Sequence, residues 1–174
     1  MRIKEEKNKA IVLVLLLITV IAVSITIWTI FFRSTNTTLS PDYAPRQEEN
    51  SEIIKGDDDE KLKQPKKGGA VSLTYSNKVL VDLNSKTSSL LFANPGKSNQ
   101  DMVLQIVIRD TVIVQSGLLK PGYQVSTLDL LKGIDKNLEP GVYNGKFNVL
   151  FYSPDTGKKA VVNTEIPISV TVTK

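Results

Sequence analysis

The sequence predicts an all-β domain of the antiparallel Ig-like or fibronectin-III-like sandwich class, with seven to eight strands. One transmembrane helix and a flexible linker precede it. Three observations carry this expectation. Residues 70–174 hold short runs in which apolar side chains alternate with polar ones, the period of a half-buried strand. Asn, Gly, Pro and Lys cluster between those runs, where turn chemistry is required. No amphipathic helical pattern of useful length occurs there, whereas residues 10–32 form one unbroken apolar run without charge, Gly or Pro.

Residues 1–9 carry Arg2, Lys4, Lys7 and Lys9 against Glu5 and Glu6. Residues 10–32 follow, with only Thr19, Ser24, Thr26 and Thr29 polar. As a helix, 23 residues extend about 34 Å, enough to cross a hydrocarbon core of about 30 Å. Only Arg33 lies close to the span on its far side. The Lys/Arg bias therefore predicts a cytoplasmic tail over 1–9 and an extracytoplasmic C-terminal domain. Trp28, Phe31 and Phe32 stand near the outer end, where aromatic rings favour the interface. Ala22-Val23-Ser24 has the small-x-small pattern of a cleavage site, but the run stays apolar past it. The expectation is thus an uncleaved signal anchor in the cell membrane, single-pass, with the lipid bilayer as its partner through 10–32.

Residues 33–69 are rich in Ser, Thr, Asn, Pro and both charges and poor in large apolar side chains. Such a segment buries too little surface to offset the entropy of ordering, which predicts a disordered linker. Asp57-Asp58-Asp59-Glu60 resembles a calcium loop only superficially. Counted from Asp57, the sixth position is Leu62 where an EF-hand needs Gly.

Within residues 70–174 the strands follow in order. Val79, Val81 and Leu83 alternate with Leu80 and Asp82. Thr87 to Ala93 runs up to the turn Asn94-Pro95-Gly96. Leu104, Ile106 and Ile108 share one face, and Asp110 begins a short link into Thr111 to Gln115. Lys120-Pro121-Gly122 precedes Tyr123 to Leu130. Tyr143, Phe147, Val149 and Phe151 occupy one face of a long strand, which places Leu150 and Tyr152 on the outward face, either as a contact surface or under a neighbouring loop. Ser153 to Gly157 closes it. Ile166, Ile168, Val170 and Val172 then alternate to the C-terminus, with Pro167 required to face outward or sit at a bulge.

Leu138-Glu139-Pro140-Gly141-Val142-Tyr143 opens the long strand. A Tyr just after such a corner suits a tyrosine corner, whose hydroxyl bonds to upstream backbone. The alternative is a core aromatic with its hydroxyl in water. Taken with Asn94-Pro95, the strand Met102 to Arg109, Gln115-Ser116-Gly117 and Lys120-Pro121-Gly122, this succession resembles a family of small Gram-positive proteins. Those have an N-terminal membrane anchor, a polar spacer and one exported Ig-like domain. The resemblance implies location and shape, and brings no catalytic residues with it.

The chain has no Cys and no His. That excludes disulfides, Cys/His zinc sites and every nucleophilic arrangement built on those side chains. Gly96-Lys97-Ser98 imitates the end of a phosphate loop, but Leu91 stands where the earlier Gly belongs. No Lys from Lys78 onward has a Ser three residues before it, which excludes the S-x-x-K pattern. Asp101, Asp110, Asp129, Asp135, Glu139 and Asp155 fall at strand ends and turns, where carboxylates serve local hydrogen bonding. The expectation is therefore a non-enzyme without cofactor or metal and with no assigned binding residues.

The net charge is +4, and residues 70–174 hold eleven basic against eight acidic side chains. No basic cluster is interleaved with aromatics, so nucleic acid is not expected as a partner. A protein or cell-wall polymer is. The alternative is an accessory subunit of a membrane-spanning secretion, conjugation or pilus assembly, with Thr19, Ser24 and Thr26 as helix contacts. Oligomeric state is not legible in the sequence.

Overall fold

The computed structural model describes residues 14–24, 39–57, 60–63 and 68–174. The chain divides into two compact units, Met1–Thr38 and Leu39–Lys174. In the first, residues 14–24 are helical throughout (α1). Thr19 Oγ1 and Ser24 Oγ donate to the carbonyls of Leu15 and Val20, each at 2.8 Å, so both hydroxyls bond to their own helix. The rest of the expected 10–32 span, with Thr26 and the aromatic trio, lies outside the described residues. Among the described residues no helix is long and apolar enough to cross a membrane.

The second unit is mostly β. Its strands are β1 (Ser51–Ile53), β2 (Thr74–Tyr75), β3 (Lys78–Asp82), β4 (Thr87–Asn94), β5 (Asp101–Ile108), β6 (Thr111–Gln115), β7 (Tyr123–Asp129), β8 (Gly141–Tyr152) and β9 (Lys159–Thr173), with a one-turn helix α2 (Ile134–Asn137) between β7 and β8. The sheet order is β1-β7-β4-β3-β9-β8-β5-β6, with β2 added on β4. Val114 of β6 bridges to Leu130 just after β7, so the sheet curls until its two sides meet.

Among the described residues, 70–174 hold eight strands, within the expected seven to eight, and β1 adds one from the segment before them. One expectation changes: the sheet is mixed, because β3 runs parallel to β9, from Lys78 opposite Ser169 to Asp82 opposite Thr173. Alternation along a strand specifies its faces but not its neighbours' direction. The parallel pair joins the beginning and end of the predicted domain, a contact with no local signature.

The core lies inside the curl. Val79, Val81, Phe92, Leu104, Ile106, Phe147, Val149 and Val170 are buried there. Phe147 meets Phe92 and Tyr75 edge-on, with ring centroids 5.8 and 6.3 Å apart. Pro167 lies in the part of β9 that β3 does not reach, since that pairing starts at Ser169, so no ladder on that side loses a donor. Across the outer face, Asn163 donates to Asn148, Asn148 to Gln105 and Gln105 to Gln115, at 2.6, 2.7 and 2.7 Å. This row satisfies the buried Gln105 amide.

Tyr143 resolves the alternative left open above. Its hydroxyl donates to the Glu139 carbonyl at 2.8 Å, closing a corner over the start of β8. The Arg109 guanidinium lies over its ring at 5.1 Å. Arg109 and Asp110 both have positive φ, 48° and 62°, as a two-residue hairpin turn requires, and the ring contact offsets the strain at Arg109. Tyr143→Phe is expected to cost about 1 kcal/mol, read as a lower urea midpoint at unchanged slope.

The largest departure concerns the expected linker over 33–69. Residues 39–57 are part of the domain. Tyr43 bridges to Lys158, Gln47 bridges to Leu118, and β1 pairs antiparallel with β7. Ala44 N–H donates to Gly157 O at 2.7 Å, Leu118 N–H to Arg46 O at 2.8 Å and Ile54 N–H to Gly122 O at 2.9 Å. This strap covers the patch formed by Val103, Leu118, Leu150 and Tyr152, against which Ala44 packs. The Tyr152 hydroxyl donates to Pro41 O at 2.8 Å. Leu150 and Tyr152 are thus buried, 2% and 0% exposed, rather than a free contact surface. The composition rule weighed the strap's own apolar content, but the surface that orders it belongs to the sheet beneath.

Candidate functional site

All three connections β4–β5, β6–β7 and β8–β9 emerge at one end of the domain, because β4, β6 and β8 run toward it and β5, β7 and β9 away from it. The strap circles this same end. It starts beside the β8–β9 connection at Ser40, whose Oγ accepts from Lys159 Nζ. It ends beside the β4–β5 turn, where Gly96 N–H donates to Asp57 Oδ2. Residues 60–63 continue the contact, as Leu62 N–H donates to Lys97 O at 2.8 Å and Asn99 Nδ2 donates to Leu62 O.

Between these elements lies an open cleft of about 470 Å³. Lys61 enters it from the strap side, Lys120 and Tyr123 from β6–β7 and the start of β7, and Ser153 and Asp155 from β8–β9. Its shape is held from below. Asn94, fully buried, donates from Nδ2 to Gln100 O at 2.9 Å and to Leu119 O at 3.0 Å, tying two of the three loops together. Lys61 Nζ donates to Ser98 O at 2.9 Å. Ser98 Oγ in turn donates to Ser72 O at 3.0 Å and accepts from Ser72 N–H at 2.8 Å. Gly117 allows the strap to approach, since a Cβ there would sit 2.8 Å from Arg46 O and from backbone atoms of Glu48. Its N–H donates to Glu48 Oε2 at 2.5 Å.

Asp101 begins β5 near this end and is buried. Burial pushes its carboxyl pKa up, against the opposing pull of the Lys120 and Lys61 ammonium groups. A folded-state pKa above the unfolded one means that ionisation opposes folding. Asp101 therefore favours the fold below the ordinary carboxylate pKa, and that contribution fades as pH rises through its own. Asp101→Asn is expected to raise the thermal midpoint at pH 7, with the difference vanishing below about pH 4, measured by melts across that range.

No protein-family model and no curated protein matches the chain. Among solved structures, the crystal structure of AggA, the major subunit of aggregative adherence fimbriae type I from Escherichia coli, is similar over 64% of this chain and 100% of that chain, at 13% identity and a TM-score of 0.30. With identity and score this low, the fold rests on the hydrogen-bonded topology described above.

The carboxylates named from sequence are scattered. Asp155 lies in the cleft and Asp101 behind it, while Asp135 pairs with Lys86 at 3.0 Å at the other end of the domain. Asp110 turns the β5–β6 hairpin, Asp129 ends β7, and Glu139 lends its carbonyl to Tyr143. Among the described residues no group of three or more Asp or Glu is placed to hold a metal ion. Gly96-Lys97-Ser98 is a turn against the strap, its glycine N–H directed to Asp57 rather than to an open phosphate site. Sequence reasoning assigned no binding residue to this cleft, and Lys61 is hidden most deeply because it stands in the predicted linker. A signal was available in Gly117, a glycine between Ser116 and Leu118 with no turn partner nearby, which marks a close backbone approach.

Proposed function

We propose that the protein is a non-catalytic, single-pass membrane protein whose Ig-like domain binds a component of the cell envelope on the extracytoplasmic side. It would be of the Gram-positive type that the sequence resembles. The observation that carries the binding part is the cleft at the strap end, where three loops and the N-terminal segment converge on polar side chains. The anchor part rests on the charge-free run 10–32 behind a basic tail. The Ig-like reading rests on β3, which hydrogen-bonds to β4 on one side and to β9 on the other and so joins two strand layers. The Tyr143 corner supports the same reading.

Protease treatment of cells stripped of their wall tests the placement. An extracytoplasmic domain is digested or clipped in intact cells. Full protection until the membrane is permeabilised would contradict it.

A further inference from the structure

We propose that the cleft at the strap end is a saccharide site, taking a short hydroxyl-rich sugar segment. This deepens the binding function above by naming the class of partner. The lining is mixed in a way that suits sugars. Asn99, Gln100 and Ser153 present groups that both donate and accept, as hydroxyls do. Lys61 and Lys120 are donors and the Asp155 carboxylate is an acceptor, so the two directions of a hydroxyl's bonding are both served. The Tyr123 ring, with Pro121 and Pro154, supplies apolar surface for the C–H face of a pyranose.

The charges discriminate among ligands. The lining holds two lysines and one aspartate, a formal excess of a single positive charge, with Asp101 buried behind it. A polyanion gains little from an excess of one charge and is repelled by Asp155, while a neutral polyol finds a hydrogen-bond partner in each of the three charged groups. An extended peptide is further disfavoured because the lining consists of loop ends. The strand edges that a peptide would pair with lie elsewhere. A volume of about 470 Å³ admits a few sugar rings and excludes a folded partner, within the range of about 300–1,000 Å³ typical of small-ligand clefts. The site is also held in shape before any ligand arrives, by Asn94 under two loops and by the Lys61 to Ser98 bond.

The test is titration of the full chain in detergent micelles, followed by calorimetry and by tyrosine fluorescence. The probes are tetrasaccharides of glucose, of N-acetylglucosamine and of mannose. Deca-glutamate and phosphatidylglycerol vesicles serve as competing chemistries. At least one tetrasaccharide is expected to bind saturably, and Lys120→Ala and Asp155→Asn are each expected to weaken it about tenfold, the loss of one charge-assisted hydrogen bond. Lys136→Ala, at the opposite end of the domain, is expected to leave it unchanged. Absence of binding to all three sugars by a folded chain overturns the proposal. So does saturable binding only of the peptide or the vesicles, or sugar binding indifferent to Lys120 and Asp155. Sugar binding by a domain found on the cytoplasmic side would overturn the envelope reading and leave the cleft assignment standing.

Discussion

Replacement of residues 39–50 by a Gly/Ser segment of equal length is expected to lower the stability of the domain by on the order of 5 kcal/mol. The strap covers Val103, Leu118, Leu150 and Tyr152, all now 0–7% exposed. Burying one large apolar side chain is worth about 1.5–3 kcal/mol, so even partial re-exposure of four costs on the order of 5 kcal/mol. The loss extends to the backbone bonds from Ala44, Arg46 and Glu48 and to the partner of the Tyr152 hydroxyl. Total stability of a domain this size is about 5–15 kcal/mol, so the substitution removes a large share of it. Circular dichroism under urea reads the outcome. A midpoint within experimental error of the parent would mean that the strap is an ornament on an independently stable sheet.

Among single substitutions, Phe147→Ala is expected to have the largest effect. Phe147 is fully buried at the centre of β8 and touches the rings of Phe92 and Tyr75 from two sides. Its removal leaves a cavity that neither ring can fill without leaving its own contacts, at about 3–5 kcal/mol. Val142, on the same strand but 72% exposed, provides the contrast. Val142→Ala is expected to stay within about 0.5 kcal/mol of the parent. The two variants share a strand and a β-branched or aromatic propensity for it, so a large difference between them isolates packing from strand preference.

The sequence told more about strands than about their neighbours. The predicted run Thr111 to Gln115 is β6, and Tyr123 to Leu130 is β7 extended by one residue. Those segments are short apolar-rich runs bounded by turn residues, and such bounds are a local property. The parallel partnership of β3 and β9 is not local, and nothing in either strand announces it. The first half of β9 was illegible for a different reason. Leu150 pairs with Asn163 and Tyr152 with Lys159, so three residues of β9 face the single residue Phe151. That bulge puts Val161 and Val162 side by side in solvent and breaks the alternation.

The candidate site was less legible than the fold. Alternation correctly assigned Leu150 and Tyr152 to the face opposite Phe147 and Val149. It could not say that another part of the chain lies over that face. Composition then argued against the segment that does so, because residues 39–57 contain few large apolar side chains of their own. Their order comes from hydrogen bonds to loop carbonyls and from apolar surface that β5 and β8 present. Lys61 was hidden with them. Of the cleft's polar groups, Lys120 and Asp155 had been noticed only as turn residues, since their convergence depends on three connections returning to one end.

The polar segment 39–57 belongs to the β domain. Amide hydrogen exchange on the full chain measures this residue by residue. The N–H groups of Ala44, Glu48 and Ile54, each bonded to a carbonyl of the domain, are expected to exchange far more slowly than in an open chain and to lose protection together with β7 and β8. Exchange of these amides at the rate of an unstructured peptide, while β7 and β8 stay protected, would contradict the account.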